Sequence, residues 1–294
     1  MNTNSNTYTV IYTTLVCVLV AAILAYVSQT LRPSQEANEK AETISQILTA
    51  AQFGEKAEWQ EMGNAATLDF YKENASEAYT IDADGQKVSD LDIAQATIYN
   101  VSQLKVQNRS IKDGQDVELP VYKFKNGMTV IPIYGAGLWG PVWGYIAFES
   151  DLNTIAGAYF DHESETPGLG GKIKDDPSFR AQFSGKSVDF SDAKGAFQII
   201  KGGAPEGKAN AIDAITGASM TSKGVAEAIN TWFGAYKQFL SGAGAPAAKK
   251  CCGHHADGHE CNGECNEEAH ECNHECGDEA HECNHECEDA TTEE

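Results

Sequence analysis

Hydroxyl-bearing and small residues crowd the segment Ile212–Val225, which reads IDAITGASMTSKGV. They are Thr216, Gly217, Ala218, Ser219, Thr221 and Ser222. The apolar spacing that follows predicts a helix over 221–240, which places these residues at or just before its start. Because the first amides of a helix lack intrahelical acceptors and the helix dipole attracts anions, the segment predicts a phosphate-binding site. A capped helix start without a ligand is the alternative.

A second segment, Asp161–Gly171, reads DHESETPGLGG and combines acidic residues with a tight turn. Its Thr-Pro-Gly sequence at 166–168 suits the turn. The glycines around Leu169 permit a flat ligand to lie close, and the leucine side chain is available to pack against its face. An ordinary polar turn is the alternative. His162 is the only histidine among the first 250 residues, which disfavours a histidine-based metal site in this part of the chain.

The C-terminal residues 251–294 form a third group, in which cysteines and histidines recur four positions apart. The candidate metal ligands are Cys261, Cys265, His270, Cys272, His274 and Cys276. Side chains four positions apart share one face of a helix, and mixed Cys and His ligands suit Zn²⁺ or Cu⁺. A disordered acidic tail without a physiological metal is the alternative, because the segment has no apolar residues with which to build a core.

Charge and cysteine content exclude several classes of protein. The chain of 294 residues has a formal net charge of −22, from 43 acidic and 21 basic residues, so we expect no nucleic-acid binding. Residues 251–294 contain no Lys or Arg, so the charge is concentrated in the tail. No cysteine lies between Cys17 and Cys251, which excludes a disulfide-built scaffold and a cysteine nucleophile in that region.

The N-terminal segment 1–31 contains an apolar run, Val10–Val27, without charge, glycine or proline. As a helix this run would be about 27 Å long, close to the thickness of a hydrocarbon core. No Lys or Arg precedes it, which favours a retained single transmembrane anchor over a cleaved signal peptide. The one nearby cation, Arg32, would by itself place the following domain in the cytoplasm.

The rest of the chain predicts one α+β domain over residues 34–240. Ser34 is a candidate cap for a helix ending at Gly54, whose apolar stripe is Ala41, Ile44, Leu48 and Ala51. Short β-type runs follow between Thr80 and Phe160, with a hairpin signal at Asn126-Gly127. Residues 241–250 have the composition of a flexible linker, and we expect residues 251–294 to be disordered.

The first two segments together resemble a known family. The sequence TPGLG is preceded by His and Glu, and D-x-x-T-G-A-S-x-T-S follows about fifty residues later. This pair of motifs is similar to that of the FMN-binding domain of redox-pump subunits. Members include the C subunit of the sodium-translocating NADH:quinone reductase and the G subunit of the Rnf complex, both with one N-terminal span and one α+β domain. The stretch Tyr134–Ala147, YGAGLWGPVWGYIA, resembles the quinone-reductase member. The resemblance covers about residues 8–240.

The resemblance implies FMN attached through its phosphate to a hydroxyl by a separate flavin transferase that uses FAD. The acceptor falls on Ser219, where most family members have Thr, and Asp213 matches the acidic residue that leads the transferase recognition motif. The amides and hydroxyls of Thr221 and Ser222 would offset the phosphate charge. The implied cofactor contacts are Trp139 and Leu169 near the isoalloxazine ring, polar contacts from Glu165 and Thr166, and Gly168, Gly217, Ala218 and Thr221.

The role implied is an electron relay between other subunits of a complex that carries electrons from NADH to a quinone and exports sodium. We expect no NADH site, because a G-x-G-x-x-G fingerprint is absent, and no sodium path through one apolar span. The resemblance places the domain on the outer, periplasmic face of the inner membrane, against the indication from Arg32. The alternatives are the Rnf-type G subunit and a membrane-tethered protein that binds Zn or Cu through its tail.

Overall fold

A computed structural model describes residues 6–242, so the predicted tail, with its candidate metal ligands, lies outside the described residues. The helices are α1 Asn6–Ala50, α2 Lys56–Met62, α3 Asn64–Asn74, α4 Val101–Asp113, α5 Lys172–Asp175, α6 Pro177–Ala181, α7 Ser219–Ala235 and α8 Lys237–Leu240. The strands are β1 Ala75–Ile81, β2 Lys87–Asp90, β3 Leu119–Phe124, β4 Thr129–Ala136, β5 Pro141–Phe148, β6 Thr154–His162, β7 Lys186–Ser187, β8 Gln198–Ile200 and β9 Ala211–Asp213.

Seven of the strands form one antiparallel sheet in the order β2-β1-β3-β4-β5-β6-β7. Strands β8 and β9 form a separate parallel pair. The hairpin predicted at Asn126-Gly127 is confirmed. There, the Gly127 amide donates to the Phe124 carbonyl at 3.0 Å, and glycine supplies the φ of 84° that the turn requires. The predicted α+β class with an N-terminal apolar helix is also confirmed.

Each face of the sheet is covered by helices, which gives the domain two apolar cores. On one face, α4 and α7 pack on β4, with Ile133, Val225 and Trp232 fully buried. On the other face, the C-terminal part of α1 packs on β5 and β6 together with α3, and Ile44 and Leu48 are fully buried. The sheet alternates its apolar side chains between these cores, as a sheet covered on both faces requires.

Helix α1 is continuous from Asn6 to Ala50, so the expectation of a separate helix beginning at Ser34 is wrong. Pro33 removes one amide donor and its ring crowds the carbonyl of Gln29, yet the helix continues through it. The exposed i,i+4 ion pair of Arg32 with Glu36, at 2.8 Å, spans this position. The predicted apolar stripe from Ala41 to Ala51 is confirmed, since its members are buried. Residues Tyr8–Ala50 contain a window long and apolar enough to cross a membrane.

Helix α7 begins at Ser219, two residues before the predicted start, and Tyr236 separates it from α8. It lies unusually close to β4, because a Cβ on Gly135 would stand 2.6 Å from the Cβ of Ala228. A Cβ on Gly224 would overlap the carbonyl oxygen of Ala136. Small residues therefore set the distance between the helix and the sheet at this end of β4.

We expect Gly224→Ala to destabilise the protein by about 1–3 kcal/mol, because the new methyl group would press on the β4 backbone. Gly234→Ala is the matched control in the same helix. A Cβ at Gly234 meets nothing within 4 Å, and replacing a helical glycine should stabilise by about 0.5–1 kcal/mol. Denaturant unfolding of the detergent-solubilised full chain would measure both effects. Similar free energies of unfolding for the two variants would contradict the close approach of α7 to β4.

Candidate functional site

Three chain segments meet at one end of the seven-stranded sheet, here called the site end. Strand β4 finishes there and β5 begins, with Ala136 paired to Pro141, so the connecting turn 137–140 lies at this end. Strand β6 also finishes there, with His162 paired to Val142, and the segment 163–171 follows it. The start of α7 completes the group.

The carboxylate of Glu165 joins all three segments. Its Oε1 accepts hydrogen bonds from the backbone amides of Leu138 at 2.7 Å and Trp139 at 2.9 Å. Its Oε2 accepts a hydrogen bond from the hydroxyl of Thr221 at 2.7 Å. The Glu165 amide donates to Nδ1 of His162 at 3.2 Å, and the side chain is only 4% exposed. A buried carboxylate with three donors satisfies the requirement that buried charge be hydrogen-bonded.

Two glycines make room for this carboxylate. A Cβ on Gly137 would overlap Oε1 of Glu165, and a Cβ on Gly170 would overlap Oε2. The same Cβ on Gly170 would stand 2.6 Å from Oγ1 of Thr221. The glycines of the turn and of the TPGLG sequence are therefore required by the close approach of neighbouring segments to Glu165, in addition to any contact with a ligand.

The pKa of Glu165 lies below its usual range. Burial alone would raise this pKa, but the hydrogen bonds from the Thr221 hydroxyl and the Trp139 and Leu138 amides outweigh it, and His162 lowers the pKa further. The carboxylate is therefore ionised at neutral pH, in the form that can accept all three hydrogen bonds.

The hydroxyls at the start of α7 divide into two groups. Thr221 and Ser222 are buried, and their hydroxyl oxygens have protein partners: Thr221 donates to Glu165, and Ser222 accepts from the Ile215 amide at 3.1 Å. These hydrogen bonds give the two hydroxyls a structural role, and their contact with a phosphate stays a prediction. Ser219, the first residue of the helix, is partly exposed.

Backbone amides provide the anion-binding groups beside Ser219. The first α-helical hydrogen bond of α7 runs from the Ser222 amide to the Ala218 carbonyl at 2.9 Å. The amides of Ser219, Met220 and Thr221 precede that bond and lie at the positive end of the helix dipole. Ala218 has no side chain with which to cap them. An anion bonded to Ser219 would therefore meet donors that the protein itself does not cap with a side chain.

Four large apolar side chains are exposed around this helix start, with exposed fractions between 45% and 68%. We call them the apolar rim, and they are Leu138, Trp139, Leu169 and Met220. Leu169 lies against Gly217, since its Cδ2 would be 3.1 Å from a Cβ there. Several exposed apolar side chains from one end of a domain are unusual unless a ligand or partner covers them.

Comparison with known proteins identifies the family. Residues 137–234 match the model of the FMN-binding domain, a range that includes every member of the site just described. The C subunit of the Na(+)-translocating NADH-quinone reductase from Vibrio parahaemolyticus is 33% identical over 242 residues, which is 76% of this chain and 88% of that protein. The chain belongs to the family of these C subunits. These relatives favour the quinone-reductase assignment over the Rnf alternative.

Two further comparisons agree with this family. The crystal structure of the C subunit from Parabacteroides distasonis is 31% identical, with a TM-score of 0.59, and covers 72% of this chain and 97% of that one. The Vibrio vulnificus C subunit is 41% identical over 118 residues, which is 39% of this chain and 46% of that protein. The chain thus spans less than half the length of that relative in this alignment.

An FMN group fits the residues of this site. Its phosphate would meet the three amides at the start of α7, and its flat ring system would cover part of the apolar rim. Sequence reasoning named Trp139 and Leu169 but missed Leu138 and Met220. The sequence contained a feature that could have indicated Leu138, because two large apolar residues inside a glycine-flanked turn are uncommon. Met220 is distinguished in the sequence only by its position next to Ser219.

The other predicted residues lie in or near the site. Thr166 and Gly168 form the exposed turn, in which the Thr166 carbonyl accepts from the amides of Leu169 and Gly171 at 3.1 and 2.9 Å. Asp213 ends β9, and its Oδ1 accepts from the Ala204 amide at 2.7 Å. Within residues 6–242 no group of three or more His, Cys, Asp or Glu side chains is placed to hold a metal ion.

We expect Glu165→Gln to destabilise the full chain by about 1–3 kcal/mol at neutral pH, because it weakens hydrogen bonds to a buried charged group. A carboxyl group whose pKa is lowered by folding stabilises the folded state at pH values above its pKa in the unfolded chain, which is about 4.3 for Glu. This stabilisation is lost as the pH falls through the pKa of the folded state. The difference between wild type and variant should therefore shrink below about pH 4.

Urea unfolding at a series of pH values measures this difference. Glu163→Gln is the matched control, two residues away and exposed, and should change the free energy of unfolding by less than about 0.5 kcal/mol. A pH-independent loss in Glu165→Gln would mean that the ionised carboxylate is not what holds the three segments together.

Proposed function

We propose that this chain is the FMN-carrying electron-transfer subunit of a sodium-translocating NADH:quinone reductase, with FMN joined to Ser219 through a phosphoester. The observation that carries the proposal is the position of Ser219. Its hydroxyl stands on the first turn of α7, beside three helix-start amides and the apolar rim, within the range that matches the FMN-binding domain.

The phosphate end of the ligand would be held by charge and hydrogen bonding. A phosphoester on Ser219 keeps negative charge at the N-terminus of a 17-residue helix, where the amides of Ser219, Met220 and Thr221 can donate to it. In the attachment step a flavin transferase would use FAD. The bond between Ser219 Oγ and the FMN phosphorus forms, the pyrophosphate bond of FAD breaks, AMP leaves, and the serine proton is lost.

The ring end would be shaped by residues that Glu165 holds in place. The Glu165 carboxylate holds the backbone at Leu138 and Trp139, whose exposed side chains are two members of the rim. Leu169 reaches the rim from the next segment. Since both oxygens of Glu165 bond to protein donors, we assign it a positioning role, with the apolar side chains making the ring contacts.

Bound FMN supplies the redox chemistry, accepting and releasing electrons one at a time. The chain's own contribution is to retain the group covalently, to orient its ring and to limit its contact with water through the rim. Electrons would come from and pass to other subunits of the complex. Helix α1 would anchor the protein in the inner membrane, with the domain on the periplasmic side.

Mass spectrometry of the tryptic peptide Ala209–Lys223 from protein made in its native host tests the attachment. We expect the peptide to carry FMN on Ser219. Ser219→Ala should remove all covalent flavin, because no hydroxyl remains at this position, whereas Ser219→Thr should retain it. In-gel flavin fluorescence provides a second readout. An unmodified native peptide, or flavin retained in Ser219→Ala, would overturn the covalent assignment.

Asp213 is proposed as a recognition residue for the flavin transferase. Asp213→Asn keeps an oxygen that can accept from the Ala204 amide, so we expect the domain to fold normally. The loss of charge should lower the fraction of flavinylated protein severalfold. The ratio of modified to unmodified peptide, measured beside the thermal unfolding midpoint, separates the two effects. Unchanged flavinylation would assign Asp213 a purely structural role in its turn.

A further inference from the structure

A cavity of about 340 Å³ lies between α4 and α7, beside the last residues of β4. Its lining includes the small residues Gly135 and Ala136 of β4 and Gly224 and Ala228 of α7. A volume of this size is at the lower end of the range for small-molecule pockets. Neither Ser219 nor any member of the apolar rim lines the cavity, so a ligand held in it would be distinct from the proposed flavin.

Asn108 presents a hydrogen-bond donor without a partner to this cavity. The residue is only 8% exposed, and its Oδ1 accepts from the indole of Trp232 at 3.2 Å. An indole nitrogen can only donate, so the amide oxygen faces Trp232 and the amide nitrogen points away from it. No acceptor within residues 6–242 bonds to that nitrogen, and it is not among the polar atoms that are fully enclosed in the core. The nitrogen is therefore open to the cavity that Asn108 lines.

Trp232 fixes this orientation of the Asn108 amide. The tryptophan is fully buried, and its indole N–H also donates to the Tyr134 carbonyl at 2.8 Å. Turning the amide over would place its NH2 group against the indole N–H, so that two donors would face each other. Because a buried donor without an acceptor is unfavourable, the amide nitrogen requires water or a ligand. The cavity thus offers a hydrogen-bond donor at a fixed position.

Lys112 adds a positive charge beside this donor. It lies four residues after Asn108, so the two side chains are neighbours on one face of α4, and both residues line the cavity. Arg109, in the same turn, pairs with Asp113 at 3.4 Å, whereas Lys112 has no ion-pair partner within residues 6–242. A fixed N–H donor next to an unpaired ammonium group is suited to binding a carboxylate, which accepts hydrogen bonds and carries the opposite charge.

The wall formed by α7 does not cancel this preference for an anion. Glu227 is the only acidic residue of the lining, and its carboxylate lies 3.5 Å from the ammonium group of Lys223, with side chains 67% and 69% exposed. A carboxylate that is both exposed and paired is screened by water, so it repels an anion in the cavity only weakly. The remaining side-chain donors of the lining bond within the protein; they belong to Asn230 and Thr231. The free side-chain donors are thus those of Asn108 and Lys112.

We propose that this cavity binds a small carboxylic acid, with a carboxylate oxygen accepting from Nδ2 of Asn108 and the charge paired with Lys112. A free acid of a few carbon atoms fits better than an acidic side chain of a partner protein, because the Asn108 donor is nine-tenths buried between three elements. Ala136 and Gly224 of the lining lie within three residues of groups that bond to Glu165, so the ligand would also stabilise the neighbouring candidate site. The inference requires neither the flavin nor the membrane span.

Saturation-transfer NMR of glutarate with the detergent-solubilised full chain tests the proposal. Glutaramide, in which both carboxylates are replaced by neutral amides, is the matched control ligand. We expect glutarate, but not glutaramide, to bind and to raise the thermal unfolding midpoint as its concentration increases. Asn108→Asp keeps an oxygen for Trp232 but replaces the donor by an acceptor, so it should weaken glutarate binding at least about tenfold. Lys112→Gln should weaken it about threefold to fivefold.

Lys105→Gln is the matched control for Lys112→Gln, because Lys105 is exposed on the same helix and does not line the cavity. Equal weakening in these two variants would overturn the proposal, since it would indicate a general attraction of anions to α4. Absence of glutarate binding, or unchanged binding in Lys112→Gln, would overturn it as well. If Asn108→Asp does not fold, Lys112→Gln decides the question, because the Lys112 side chain is exposed.

A second ligand separates a free acid from a protein side chain. An acetylated and amidated tripeptide with a central glutamate carries the same carboxylate on a peptide backbone. We expect it to bind more weakly than glutarate, because its backbone has to remain outside the cavity. Tighter binding of the peptide would overturn the assignment to a small molecule and would indicate an acidic segment of a partner protein. Both measurements can be made on a chain without flavin, so their outcome is independent of the proposed electron-carrier function.

Discussion

The buried carboxylate of Glu165 is the interaction on which the site depends. Ionised carboxylates are costly to remove from water, so this one is stable only while its three donors remain in place. Those donors come from the β4–β5 turn and from α7, far apart in the sequence from each other and from Glu165. One side chain therefore links three segments that the β5–β6 pairing and the packing of α7 on β4 bring to the same end of the sheet.

This constraint also determines which groups remain available to a ligand. Thr221 donates to Glu165 and Ser222 accepts from the Ile215 amide, so each buried hydroxyl at the start of α7 has a partner within the protein. Ser219 remains partly exposed, and the apolar side chain of Trp139, from the turn held by Glu165, is also exposed. The candidate site thus combines a partly exposed hydroxyl, the uncapped amides of a helix start and an apolar surface.

Much of this arrangement could be predicted from local sequence. The hydroxyl-rich segment before an amphipathic helix, the TPGLG turn and the apolar stripe from Ala41 to Ala51 are short-range patterns with known physical meanings. The role of Glu165 could not be predicted, because contacts among distant turns leave no periodicity in the sequence. The continuity of α1 through Pro33 was missed for another reason: an internal proline usually ends or kinks a helix, and no local pattern distinguishes a proline through which the helix continues.

Helix α1 is one continuous helix whose N-terminal and C-terminal parts differ in composition and packing. Its N-terminal part contains the apolar window of a candidate membrane span, whereas most residues from Ala41 onward are buried against the domain and include polar Gln46, which bonds to Asp161. Asp161 precedes His162, which accepts from the Glu165 amide, so the packing of the anchor and the geometry of the site share adjacent residues. The height and direction of the site relative to a bilayer would then follow from core packing of the domain itself, since no flexible linker intervenes between the apolar run and the sheet in the described part of the chain.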